Sequence, residues 1–186
     1  MRILWTTWRQ RCAQLAVSVF LLALTGGCSV SSSLSAPTCE NGQSTLIVAQ
    51  SVPSAELVPC LTELPRGWTV QTVEITQQGT TIRMDSDRAG TVAAVLWFKE
   101  SCDTSDAVSL PSDLDGAELF EYIVRITPSF RAQRYYVFPG GCVWWDFDFN
   151  ADNSAALSID LGNSLVLVSR DALNENIRDS FIDEEL

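Results

Sequence analysis

The run Arg134-Tyr135-Tyr136-Val137-Phe138-Pro139-Gly140-Gly141-Cys142-Val143-Trp144-Trp145-Asp146-Phe147-Asp148-Phe149 constrains this chain more than any other stretch. Two runs rich in aromatic and β-branched residues flank Pro-Gly-Gly, where Pro pre-sets the first turn angle and Gly accepts the positive φ that follows, so the segment reads as a β-hairpin. With Pro139 to Gly141 as a three-residue loop, Phe138 is expected opposite Cys142, Tyr136 opposite Trp144 and Arg134 opposite Asp146. That register gathers Tyr135, Val137, Val143, Trp145, Phe147 and Phe149 on one face, which has to be buried. A two-residue loop at Gly140-Gly141 instead mixes Asp146 with Tyr135 and Val137, so the longer loop is the expectation.

The N-terminus sets the compartment. Arg2, Arg9 and Arg11 precede an apolar run from Ala13 to Leu24, then Thr25-Gly26-Gly27-Cys28 and a stretch of small polar residues. A basic flank, a short apolar stretch and small residues form a secretory signal, and the apolar run falls short of the ~20 residues a spanning helix needs. The small residues ending in Cys28 look like a bacterial lipobox, although Leu24 stands four residues before the cysteine and Thr25 occupies the position three before, where the pattern usually has Leu. Lipidation of Cys28 is therefore expected, with conventional signal cleavage as the alternative, and two acyl chains on one cysteine suffice for stable anchoring. The expected organisation is a signal over 1–27, a Ser-rich tether over 28–38 and a single domain over 39–186, on the extracytoplasmic face of the cell membrane.

An exported chain oxidises its thiols. Beyond the tether, once Cys28 is assigned to lipid, Cys39, Cys60, Cys102 and Cys142 remain, an even number that argues for two disulfides. Three connectivities are open. Cys39 with Cys60 and Cys102 with Cys142 is favoured, because the first closes a short leader and the second ties a loop to the hairpin. The sequence contains no histidine, which removes the commonest general base and metal ligand, so no metal or cofactor is expected. Beyond the signal the chain keeps nine of its twelve basic residues and all 23 acidic ones, a formal charge of −14. Such a surface repels nucleic acid, and solubility is its plainest explanation.

Taken in order, Thr45 to Ala49 reads as a short strand, followed by a leader in which Pro53, Pro59, Pro65 and Gly67 forbid a long helix. Trp68 to Thr76, Thr80 to Asp85 and Thr91 to Phe98 read as an antiparallel meander, the last with Val92, Ala94, Leu96 and Phe98 on one face. Lys99 to Gly116 reads as the longest exposed loop. Glu118 to Ile126 is a strand ended by Pro128, and the hairpin brings the sheet to about six strands. Past Phe149, Asp152 or Asn153 can cap a helix containing Ala156, Leu157 and Leu161 and ended by Gly162. A second helix is expected from Ser169 or Arg170 through Leu173, Ile177 and Phe181, with Leu165 to Val168 as a short strand or buried connector. The fold class is α+β: an antiparallel sheet packed with two C-terminal helices and braced by disulfides.

Four constellations bear on function. Asp103, Asp106, Asp113 and Asp115 have no hard-cation spacing and suit a solvated loop. Asp148-x-Asn150-x-Asp152-x-Ser154 begins like a calcium loop, but Asn153 replaces the turn glycine and Ile159 the bidentate glutamate, so helix capping is the better explanation. Tyr136, Phe138 and Trp144 with Asp146, Asp148 and Arg134 have the makings of a ligand surface, as sugar-binding proteins present. A covered core face is the favoured alternative, because hairpins with large residues on both sides are usually covered on both. A carboxylate hydrolase needs only paired acids, and Lys99, the single lysine, comes with no nucleophile motif.

The segments Leu57-Val58-Pro59-Cys60-Leu61, Leu64-Pro65-Arg66-Gly67-Trp68, Asp85-Ser86-Asp87-Arg88-Ala89-Gly90, Pro111-Ser112-Asp113 and Arg134 to Cys142 together resemble a family of exported, mostly lipid-anchored proteins of actinobacteria. The likeness runs from about Cys39 to Val168. It implies the location and the four cysteines, and it carries over no catalytic residue. The function expected on these grounds is a non-catalytic binding or accessory component of the cell envelope, acting on an envelope protein or glycan, with a carbohydrate-binding module and a hydrolase as alternatives.

Overall fold

Between Trp68 and Asp148 apolar residues recur at alternate positions, and antiparallel strands follow from that period. The computed structural model describes residues 36–39, 42–150 and 155–175, which belong to one compact unit. Helix α1 (Gly42–Ser51) is followed by β1 (Leu57–Leu61), β2 (Trp68–Thr76), β3 (Gly79–Ser86), β4 (Gly90–Lys99), β5 (Val108–Leu110), β6 (Glu118–Arg125), β7 (Arg131–Phe138) and β8 (Gly141–Asp148). Helix α2 (Ala155–Gly162) and β9 (Leu165–Ser169) come next, and a helical turn over 170–175 ends the described chain. Strands β2 to β8 form one antiparallel sheet in the order β2-β3-β4-β8-β7-β6-β5, while β1 and β9 form a separate antiparallel pair. The fold is therefore α+β, and the disulfides join Cys39 to Cys60 and Cys102 to Cys142, as expected.

One face of the large sheet is the floor of the core. Ala94, Leu96 and Phe98 of β4, Val143, Trp145 and Phe147 of β8, and Ala132, Tyr136 and Phe138 of β7 are all buried there. They share a cluster with Val48, Ala49 and Val52 at and just beyond the end of α1, Val58 and Leu61 of β1, and Leu157 and Leu161 of α2. Each large side chain buried in this layer stabilises the fold by about 1.5–3 kcal/mol before entropy is counted.

The hairpin corrects the expected register. Phe138 pairs with Gly141, so only Pro139 and Gly140 form the loop; Tyr135 lies opposite Trp144, Tyr136 opposite Val143 and Arg134 opposite Trp145. Tyr135 and Val137 therefore leave the predicted core face and join Trp144 and Asp146, while Arg134, Tyr136 and Phe138 take the core side. The physical reason is tertiary. Gly140 has φ +69° and completes a tight turn after Pro139. That turn is docked, because Ser54 Oγ donates to the Gly140 carbonyl at 2.8 Å and the Glu56 N–H donates to the Pro139 carbonyl at 3.1 Å. The second glycine serves packing rather than the turn: a Cβ on Gly141 lies 2.6 Å from Phe138 Cε2 and 2.8 Å from Ala55 Cβ.

Other differences have similar causes. Residues 45–49, expected as a strand, lie within α1, where Thr45, Val48 and Ala49, with Val52 just past its end, are buried at helical spacing and Ile47 is exposed. Pro59 sits inside β1, which a two-stranded sheet tolerates because one edge needs no partner. The predicted loop after Lys99 contains β5, an edge strand on β6, which makes seven strands where six were expected. Val92, expected inward, is instead part of a bulge at φ +47°, held by a 2.7 Å bond from its N–H to Asp85 Oδ1. The end of the expected tether is tied down, with the Leu61 N–H donating to the Pro37 carbonyl at 2.7 Å and Thr38 bridging Leu61. The signal segment, Cys28, and the capping residues Asp152 and Asn153 lie outside the described residues, as do Ile177 and Phe181. Among the described residues, no helix is long and apolar enough to cross a membrane.

Candidate functional site

Alternation that points Ala94, Leu96 and Phe98 into the core sends Val95, Trp97 and Lys99 to the opposite, outer face. Trp97 pairs across the ladder with Trp144, Trp144 with Tyr135, and Tyr135 with Phe120, so four rings line up across β4, β8, β7 and β6. The Trp97 and Trp144 rings lie 5.8 Å apart at 13°, and the Trp144 and Tyr135 rings 6.0 Å apart at 27°. At that spacing the planes are offset, so each ring overlaps only part of the next. Trp97 and Trp144 are half-buried and Tyr135 is buried.

Polar groups border this row on both sides. Lys99 Nζ sits 5.0 Å from the Trp97 centroid and 5.9 Å from that of Trp144, within cation–π range. On the other side Gln133 pairs with Asp146 across β7 and β8. The Tyr135 hydroxyl donates to Gln133 Oε1 at 2.7 Å. Burial pushes the Asp146 carboxyl above the usual carboxylate range; Gln133 and Arg131 pull it back only in part. Here lies the cost of mixing a carboxylate with aromatics, and the register accepts it because Asp146 is only half-buried.

The Cys102–Cys142 disulfide reaches this same face, since Cys142 alternates with Trp144 along β8. It brings the loop after β4 close enough for Asp103 and Asp106 to act on the Tyr135 hydroxyl, whose pKa rises chiefly through burial and further through Asp146 and these two carboxylates. Asp103 itself is occupied locally: its Oδ1 accepts the Ser105 N–H at 3.0 Å, which holds its carboxyl below the usual range. Among the described residues no three His, Cys, Asp or Glu side chains converge as a metal site.

The expected ligand surface is thus divided between the two faces. Trp144 and Asp146 lie on the outer face. Tyr136 is fully buried on the core face, its hydroxyl 3.5 Å from Asp113 Oδ2, and burial followed by Asp113 raises its pKa strongly. Arg134 is also on the core side, where Nε and Nη2 hold Glu121 Oε1 at 3.2 and 2.9 Å instead of meeting Asp146. Trp97, Tyr135, Gln133 and Lys99 were not among the expected surface residues. Trp97 and Lys99 were legible, since the inward assignment of Leu96 and Phe98 forces both outward; Tyr135 and Gln133 needed the true register.

A second exposed feature lies at the sheet's edge. Strand β5 covers only Leu119 to Glu121, and beyond it Tyr122, Ile123, Val124 and Ile126 are exposed. The fold thus defines a class, a disulfide-braced α+β domain on a seven-stranded antiparallel sheet with one face in the core and one carrying an aromatic row. Compared with protein-family models, curated proteins and solved structures, the chain matches none.

Proposed function

We propose that this chain is a lipid-anchored protein on the extracytoplasmic face of the cell membrane, and that it serves as a non-catalytic binding or accessory component of the envelope. The signal-like N-terminus ending in Cys28 supports the location, as does the resemblance to exported, lipid-anchored proteins; two disulfides are in keeping with export. The observation that carries the binding role is the outer face, where two half-buried indoles are bordered by an ammonium, a carboxamide and a carboxylate. Convergent polar groups around an aromatic floor suit recognition of a ligand. A protein partner laid along the exposed edge of β6 is the second reading, supported by Tyr122, Ile123, Val124 and Ile126.

Two measurements test this proposal. Intact mass of protein extracted from membranes is expected to show a diacylated N-terminal Cys28, and Cys28→Ser to move the protein into the soluble fraction; an unmodified N-terminus downstream of Cys28 refutes the anchor. A photocrosslinking residue at position 95, on the outer face, is expected to capture an envelope component in intact cells. Recovery of monomer alone, from positions 95 and 126 alike, counts against any binding role.

A further inference from the structure

We infer that the outer face binds a saccharide, and that a short stretch of a neutral linear glycan lies across the strands along the row of Trp97, Trp144 and Tyr135. This inference rests on the reading that the outer face is the ligand face, and it adds the ligand's chemical class. The first argument is the balance of donors and acceptors. Asp146 only accepts, Lys99 only donates and Gln133 does both; Lys99 lies over the two indoles, and Asp146 and Gln133 flank the Trp144 and Tyr135 end of the row on its other side.

A simple cation meets Lys99, which already sits within 6 Å of both rings. A simple anion meets Asp146 and a chain of strongly negative charge. A purely apolar ligand strips water from the half-buried Asp146 and offers its carboxylate no donor in exchange. A ligand whose hydroxyls each donate and accept, carried on a C–H face that packs against an aromatic ring, satisfies all three polar groups and the indoles at once.

The second argument is shape. The aromatic row runs across four neighbouring strands, which at the usual strand spacing is about 14 Å, the length of a short oligosaccharide rather than one ring. Lys99 lies on one side of this row, and Gln133 and Asp146 on the other, because they occupy alternate positions along β4, β7 and β8. Gln133 is also held in place beforehand, its Oε1 taking the Tyr135 hydroxyl at 2.7 Å, which lowers the entropy lost on binding.

The test uses the exported domain with its disulfides intact. Its tryptophan emission is titrated with maltohexaose, cellohexaose, xylohexaose and mannohexaose, and with hexalysine and hexagalacturonate as charged probes. Trp68 and Trp145 are buried, so a change in emission reports on Trp97 and Trp144. At least one neutral hexasaccharide is expected to bind in preference to both charged probes. Trp144→Ala is expected to weaken it by roughly tenfold or more, and the near-isosteric Asp146→Asn, which keeps the fold, by about tenfold. Ile126→Ser, at the β6 edge, is expected to leave affinity unchanged. Absence of binding to all four up to about 10 mM overturns the saccharide, as does a preference for either charged probe or affinity untouched by Asp146→Asn. If the saccharides fail while position 95 still crosslinks to an envelope protein, the ligand class is wrong and the binding role stands; if both fail, the outer face is not a ligand face.

Discussion

Replacing Arg170 with alanine removes three hydrogen bonds from a single charged group. Arg170 Nε donates to the Ala55 carbonyl at 2.8 Å, and Nη2 donates to the carbonyls of Val52 at 2.9 Å and Ala49 at 3.0 Å. The Ala49 carbonyl belongs to the last turn of α1, at the negative end of its dipole, while those of Val52 and Ala55 lie in the turn that follows, where Val52 also accepts the Ala55 N–H at 3.2 Å. Ala49, Val52 and Ala55 are all buried, so water is poorly placed to take over. A hydrogen bond to a charged group contributes about 1.5–3 kcal/mol, and three sharing one guanidinium do not add fully, so Arg170→Ala is expected to cost about 3–4 kcal/mol. Arg170→Lys, a point charge that reaches one or two of the carbonyls, is expected to recover about 1–2 kcal/mol of that. Arg170→Met keeps most of the apolar stem and recovers little. Urea unfolding of the oxidised exported domain, followed by tryptophan emission, measures each value provided m is unchanged. A cost below about 1 kcal/mol for alanine, or full recovery by methionine, shows that the side chain acts through packing and the capping argument is wrong.

Three further outcomes are expected. Because burial raises the Asp146 pKa in the folded state, the folded protein binds that proton more tightly than the unfolded chain does, so this group's contribution to stability falls as pH rises from the unfolded value of 3.8 through the folded one. Asp146→Asn should therefore raise the thermal midpoint at pH 7 and lose that advantage below about pH 4; a gain that persists in acid refutes this. Replacing Cys102 and Cys142 together by serine opens a span of 40 residues and is expected to cost about 4 kcal/mol, against about 3 kcal/mol for the 21-residue span of Cys39 and Cys60. Denaturation midpoints of the two double variants give the order directly. Gly140→Ala forces a side chain into φ +69° and onto the Ser54 carbonyl, so a loss of more than about 2 kcal/mol is expected, and an unchanged midpoint means that the hairpin turn is not docked there.

Strand positions were the most legible part of this molecule. The six strands read from alternation and turn residues are all present, because a half-buried strand writes its period into its own sequence. Helix α1 was misread for the same reason turned around: the consecutive apolar residues Leu46 to Ala49 carry no period of their own, and only contact with the core shows that Thr45, Val48, Ala49 and Val52 form the buried stripe. The disulfide pairing followed from which loops needed ties. The candidate site was half legible. Alternation along β8 puts Trp144 and Asp146 on one face in either register, but a register one residue out sets Tyr136 and Arg134 beside them, whereas the true one turns both toward the core.

What the chain determines unaided is local: period-two runs that have to be strands, a Pro-Gly turn, four cysteines left for bridges, and the absence of histidine. Which side of the hairpin faces the core was decided elsewhere, by Ser54, Ala55 and Glu56 closing over Pro139 to Gly141, and with that choice came the ring row, the carboxamide and the carboxylate of the outer face. Register is a contest between two nearly equal loops, and its winner depends on contacts about 85 residues apart that no local pattern encodes.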